Sequence, residues 1–181
     1  MTEKRNVMEK TSTTKRVITK EIFDWVKAII IAVLIALIIR TFIFVPSIVP
    51  TGSMHPTICV NDVILVFKGS YWFKSVERGD IIVFKSPEDE DIHLVKRVAA
   101  MGGEMVKIEG GHLYIDGIKQ NEPYIYAPMR QDFGPYKVPK DMYFVMGDNR
   151  NNSLDARNWE QKGISKDILI GKAVYRLGGL K

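Results

Sequence analysis

From Ala28 to Ile39 every residue is alanine, valine, leucine or isoleucine, and after Arg40-Thr41 the apolar character resumes through Phe42-Ile43-Phe44-Val45. Counted inward from Trp25, this makes about twenty residues, the length that crosses a hydrocarbon core. The pattern predicts one transmembrane helix over 25–45, with Lys27 and Arg40 near its ends, where long basic side chains reach the interface. Pro46 stops it. A cleaved secretory signal and a buried core helix are the alternatives, but no A-x-A-like cleavage site follows the run.

Beyond Pro46 the periodicity changes to that of short strands. Val63 to Phe67 and Ile81 to Phe84 are apolar runs rich in β-branched residues, bounded by Asn61-Asp62, Gly69 and Arg78-Gly79-Asp80. Glu104 to Asp116 alternates, turns at Gly110-Gly111 and returns, the signature of a hairpin. His93-Leu94-Val95-Lys96 alternates too, Met142 to Met146 precedes a polar loop, and Leu169 to Leu177 supplies a last strand. Asn121 to Lys140, with four prolines, reads as an irregular surface crossing. A parallel sheet would need crossover helices, and the pattern offers none of sufficient length. The expected fold class is therefore mainly β, an antiparallel β domain over 46–181 preceded by one N-terminal transmembrane helix.

Charge orients this arrangement. Lys4, Arg5, Lys10, Lys15, Arg16, Lys20 and Lys27 outnumber Glu3, Glu9, Glu21 and Asp24, so residues 1–24 read as a basic cytoplasmic tail and the β domain as extracytoplasmic. The tail has too few apolar groups to fold alone. Much of the net charge of +5 lies there, which ties it to the bilayer rather than to nucleic acid. The single cysteine, Cys59, excludes an internal disulfide, and His55, His93 and His112 have no zinc-binding spacing. Neither a metal nor a cofactor is expected.

Three segments carry candidate chemistry. Ser53 lies in Ile48 to Ile58, after Gly52 and before a Met54-His55-Pro56 turn, and a serine hydroxyl needs a base within reach to become a nucleophile. Lys96 shares a strand face with Leu94 and Val98, where apolar surroundings lower a lysine's pKa and make a neutral amine available. Arg97 points to the other face, suited to a carboxylate. Tyr143 to Arg157 concentrates short polar groups in a loop after a strand, and Asp155 and Arg157 flank Ala156 as a possible charge pair. Each segment has an ordinary structural reading: a turn, a solvated lysine, a solvated loop.

Taken in order, these segments resemble the type I signal peptidases. The resemblance rests on Ser53-Met54-His55-Pro56-Thr57 shortly after an apolar span, Arg78-Gly79-Asp80-Ile81-Ile82-Val83-Phe84, the Lys96-Arg97 pair, and Gly147 through Arg157. It implies a serine endopeptidase of the cell membrane that removes signal peptides from secretory preproteins, with Ser53 as nucleophile and Lys96 as general base. It further implies Ser153 as the group that orients the lysine, the Ser53 N–H and the Thr51 hydroxyl as oxyanion donors, Asp155 and Arg157 as a structural pair, and Asp148 supporting the site with Arg97. Ala156 departs from the serine common in the family. The family selects small residues before the cut, and Val49, Pro50, Met54, Ile58, Leu94 and Val95 are expected to wall the corresponding pockets.

Other readings remain at this stage. A self-cleaving Ser-Lys protein shares the broad fold, but its DNA-binding domain would stand where this chain has its apolar span. A Ser-His-Asp hydrolase would use His93 or His112 with Asp148, and a membrane-tethered binding domain would need no catalysis. Tyr71-Trp72-Phe73 reads either as an interfacial aromatic patch or as a core cluster.

Overall fold

Residues 21–37, 39 and 43–179 are described by the structure, a computed structural model. The chain divides into two units, Met1–Phe42 and Ile43–Lys181. In the first, residues 21–37 form a helix. Among the described residues no helix is long and apolar enough to cross a membrane. Most of the expected basic tail, residues 1–20, and Ile38, Arg40, Thr41 and Phe42 of the expected span lie outside the described residues.

The second unit is built of antiparallel strands: β1 (Phe44–Ile48), β2 (Asp62–Phe67), β3 (Ile81–Lys85), β4 (His93–Ala100), β5 (Met105–Glu109), β6 (His112–Ile115), β7 (Ile118–Lys119), β8 (Phe133–Lys137), β9 (Met142–Met146), β10 (Ile164–Ser165) and β11 (Leu169–Gly179). One sheet has the order β1-β2-β11-β3-β4-β9-β10 and the other β7-β6-β5-β8. Between β5 and β6, Gly110 and Gly111 have φ of 57° and 82°. A two-residue hairpin turn with both φ positive is the reason for two glycines there.

Two expectations are corrected. The Asn121–Lys140 segment is not irregular throughout, because it contains β8. Phe133 and Tyr136 of that strand pack with Phe144, their ring centroids 5.4 and 6.0 Å from it, so the strand has an apolar face despite Pro135. As an edge strand, β8 tolerates a proline without losing a ladder bond. The second correction concerns β1, which takes up Phe44 and Val45 from the apolar run; both pair with β2, and Phe44 stacks on Phe67 at 4.9 Å. β1 is also an edge, which accommodates Pro46.

Both faces of β3 are covered. Ile82 and Phe84 enter a large core with Val98, Ile108, Leu113 and Phe144, whereas Val83 enters a smaller one with Val49, Met54, Ile58, Ile64 and Val66. Burial on both sides explains why β3 reads as an unbroken hydrophobic run. On the neighbouring strand, Lys96 pairs with Ile82 and so shares the face that Ile82 turns to the larger core.

Candidate active site

Ser53 lies in the turn that follows β1, and its position is fixed from two sides. Met54 is fully buried in the smaller core. The Asn149 backbone N–H donates to Ser53 O at 3.0 Å, and Asn149 Nδ2 donates to Gly52 O at 3.0 Å. This leaves the serine hydroxyl facing β4, where Lys96 Nζ donates to Ser53 Oγ at 2.7 Å. Thr51 Oγ1 lies 3.5 Å from the same oxygen.

Lys96 is only 3% exposed. Burial lowers its pKa to about 8; the Asp155 carboxylate opposes that shift and the Arg157 guanidinium adds to it. The two opposing charges belong to one pair, since Arg157 Nε and Nη2 each donate to Asp155 at 2.8 Å. Asp155 also accepts the Gly147 N–H at 3.0 Å, and Arg157 Nη2 donates to Arg150 O at 2.7 Å, which closes the 147–157 loop on itself.

A second ion pair joins this loop to β4. Arg97 donates to both oxygens of the fully buried Asp148, Nε to Oδ1 at 2.8 Å and Nη2 to Oδ2 at 2.6 Å. The Thr57 hydroxyl donates to the same carboxylate at 2.5 Å, so the serine turn, the lysine strand and the loop share one anchor. The arginine is also seated 3.9 Å over the Tyr124 ring. Gly147 is where these segments touch: a Cβ there would stand 2.4 Å from Ser53 O and 2.3 Å from Ser153 Oγ.

Ser153 lines the same cavity as Ser53 and Lys96. Its Oγ is buried and has no hydrogen-bond partner among the described residues, so the expected bond to Lys96 Nζ is not formed in this structure. Among the described residues no histidine hydrogen-bonds Ser53 Oγ, whose partners are Lys96 Nζ and Thr51 Oγ1. His93 and His112 are exposed residues that open β4 and β6, and His55 lies against Tyr126 and Cys59. Among the described residues no group of side chains could hold a metal ion.

A family model described as signal peptidase, peptidase S26, matches residues 22–177. The chain belongs to this family. Among its relatives, signal peptidase I T of Bacillus subtilis is 43% identical over 97% of this chain and 94% of the relative. Signal peptidase I S of the same organism is 43% identical over 77% of this chain and 80% of its own. The crystal structure of a signal peptidase I from Enterococcus faecalis superposes with a TM-score of 0.50 at 30% identity, covering 56% of this chain and 98% of that one. With membership comes the activity, that of a serine endopeptidase that removes signal peptides.

Of the six apolar residues expected to wall substrate pockets, Leu94 lines the cavity that holds Ser53 and Lys96, which has a volume of about 770 Å³. Val49, Met54 and Ile58 are buried immediately behind the serine turn with Val95 packed against them, and Pro50 is exposed. The aromatic triplet divides: Tyr71 is buried and donates to Asp80 Oδ2 at 2.9 Å, while Trp72 and Phe73 are exposed.

Three supporting residues escaped the sequence pattern. Asn149 clamps the serine turn, although in the sequence it is one polar loop residue among many. Arg150 is fully buried and donates to both oxygens of Glu122 at 2.6 and 2.8 Å. Arg150 stands in the same motif as Asp148, but nothing in the chain marks its carboxylate partner in the proline-rich segment.

Proposed function

We propose that Ser53 and Lys96 carry the peptidase reaction, with secretory preproteins as substrates. The observation that carries this reading is the 2.7 Å contact between a nearly fully buried lysine and an otherwise ordinary serine. When Lys96 loses its proton, its lone pair faces the Ser53 hydroxyl and takes that proton as Oγ attacks the scissile carbonyl. The oxyanion is held by the Ser53 N–H and the Thr51 hydroxyl, whose place beside Oγ supports this role. The Lys96 ammonium then protonates the leaving amine. A water, deprotonated by the same amine, hydrolyses the acyl-enzyme.

Ser153 orients the Lys96 amine once substrate is bound. The Arg97–Asp148 and Arg157–Asp155 pairs hold strand and loop at the spacing the reaction needs. Substrate enters as an added strand: β9 pairs with Arg97, Val98 and Ala100 of β4, whereas among the described residues 93–96 pair only with β3. That open edge beside Leu94 to Lys96 offers backbone groups for affinity. Small side chains before the cut rest on Leu94 and on the layer formed by Val49, Pro50, Met54, Ile58 and Val95.

The enzyme works at the outer face of the cell membrane, anchored in the lipid bilayer through the apolar run that starts at Trp25, with the basic tail in the cytoplasm. The composition of the run and the charge before it support this topology. The test is cleavage of a signal-peptide-bearing preprotein by wild type, Ser53→Ala and Lys96→Ala, each checked for folding by circular dichroism. Both variants are expected to be inactive, and normal cleavage by Lys96→Ala would refute the dyad.

A further inference from the structure

Of the apolar residues assigned above to the residues before the cut, Leu94 lines the cavity that holds Ser53 and Lys96, while Val49, Met54, Ile58 and Val95 lie behind the serine turn. The same cavity is lined by the polar or charged Ser153, Asn151, Asn152, Arg130 and Asp132. Because Lys96 protonates the leaving amine, the chain that follows the cut begins in this cavity, among these groups. This step rests on the proposed roles of Ser53 and Lys96.

The segment bearing Arg130 is built into the wall of this cavity. The Arg130 N–H donates to Asn151 Oδ1 at 2.9 Å, and Asn151 Nδ2 donates back to Pro128 O at 2.8 Å. Met129, between them, is buried, with Arg150 Nη1 3.8 Å from its sulfur. The other guanidinium groups of the cavity are already committed, Arg150 to Glu122 and Arg157 to Asp155. Asp132 is turned to the β5–β6 hairpin, where its Oδ1 accepts the Gly110 N–H at 3.1 Å and its charge acts on Lys107. Arg130 is exposed, and among the described residues its guanidinium makes no hydrogen bond or ion pair.

We infer that the wall of this cavity that carries Arg130 is a subsite for the first residues of the released mature chain, in which Arg130 selects a carboxylate side chain over an ammonium. An exposed guanidinium at a cavity rim acts through charge, so its effect is modest and weakens with salt.

The test uses signal-peptide substrates that carry Glu, Gln or Lys at one of the first four positions after the cut. Each is cleaved by wild type, Arg130→Gln, Arg130→Glu and Ser53→Ala. In wild type at low salt, kcat/KM for Glu should exceed that for Lys about threefold at one or more positions, the scale of one exposed ion pair. The ratio should approach one in Arg130→Gln, invert in Arg130→Glu and fade at high salt. Being a ratio within one enzyme, it is independent of how much of each variant folds. A wild-type ratio of one at every position, or a preference that survives in Arg130→Glu, overturns the subsite. Cleavage by Ser53→Ala overturns instead the active-site reading beneath it.

Discussion

The Nζ of Lys96 on β4 and the Oγ of Ser53 in the turn after β1 lie 2.7 Å apart, although 43 residues separate them in the chain. Two different forces bring them together. Apolar packing of Leu94, Val98 and Ile82 seats the lysine, and the buried Met54 with the Asn149 clamp seats the serine. With its pKa lowered to about 8, the amine is neutral in about one molecule in ten at pH 7. In the proposed mechanism the contact is then that of a resting state whose base forms on deprotonation.

The first consequence is a pH profile. Between pH 6 and 8, kcat/KM should rise by about tenfold per pH unit and level off above about 8, because in the proposed mechanism only the neutral amine accepts the Ser53 proton. Lys96→Ala should lose about 10²- to 10⁴-fold, the range of a general base. Peptide cleavage measured from pH 6 to 10 checks both, and a flat profile would remove the lysine from the mechanism.

The same burial bears on stability. A lysine whose folded pKa lies near 8 against an ordinary 10.5 binds fewer protons when folded than when unfolded across that window. Stability therefore rises with pH between about 8 and 10.5, and below 8 the full cost of the buried charge is present. Lys96→Met, without that cost, should be inactive yet more stable than wild type at pH 7, by on the order of 3 kcal/mol at most. Urea unfolding at pH 7 and pH 10 should show the advantage shrinking at the higher pH.

Asp148 presents the opposite case. Its carboxylate is fully buried and accepts from Arg97 and Thr57, so Asp148→Ala strands a guanidinium that is itself mostly covered. The expected loss is about 3–5 kcal/mol, with activity lost as the serine turn separates from β4. Replacing both partners, Arg97→Met with Asp148→Leu, should recover much of the stability but not the activity. Unfolding free energies of the single and double variants, set out as a double-mutant cycle, measure this directly.

The sequence carried the strands and the contact between Ser53 and Lys96, the proposed nucleophile and base, further than it carried their support. β2, β3, β4 and β9 are legible because alternation or a continuous apolar run survives in each. The four motifs in order single out Ser53 and Lys96 where neither residue would stand out alone. β8 is hidden because Pro135 is a breaker signal everywhere except on an edge, and edge position is a property of the assembled sheet. Glu122 is hidden for a similar reason: its partner Arg150 is 28 residues away, and only tertiary packing makes them a buried pair. Thr57 and Asn149 likewise act through contacts with distant segments that no local spacing encodes.

Ser153 separates a catalytic from a structural role most cleanly. Its hydroxyl is buried without a partner among the described residues, so Ser153→Ala removes a desolvated group and breaks no bond of the resting protein. Stability should stay within about 1 kcal/mol of wild type or rise slightly. If the hydroxyl orients Lys96 during the reaction, kcat should nevertheless fall by 10-fold or more with little change in KM, because the loss is confined to the transition state. Steady-state kinetics and urea unfolding on the same preparation decide between the roles. A fall in stability that matches the fall in activity would make Ser153 a packing residue of the 147–157 loop.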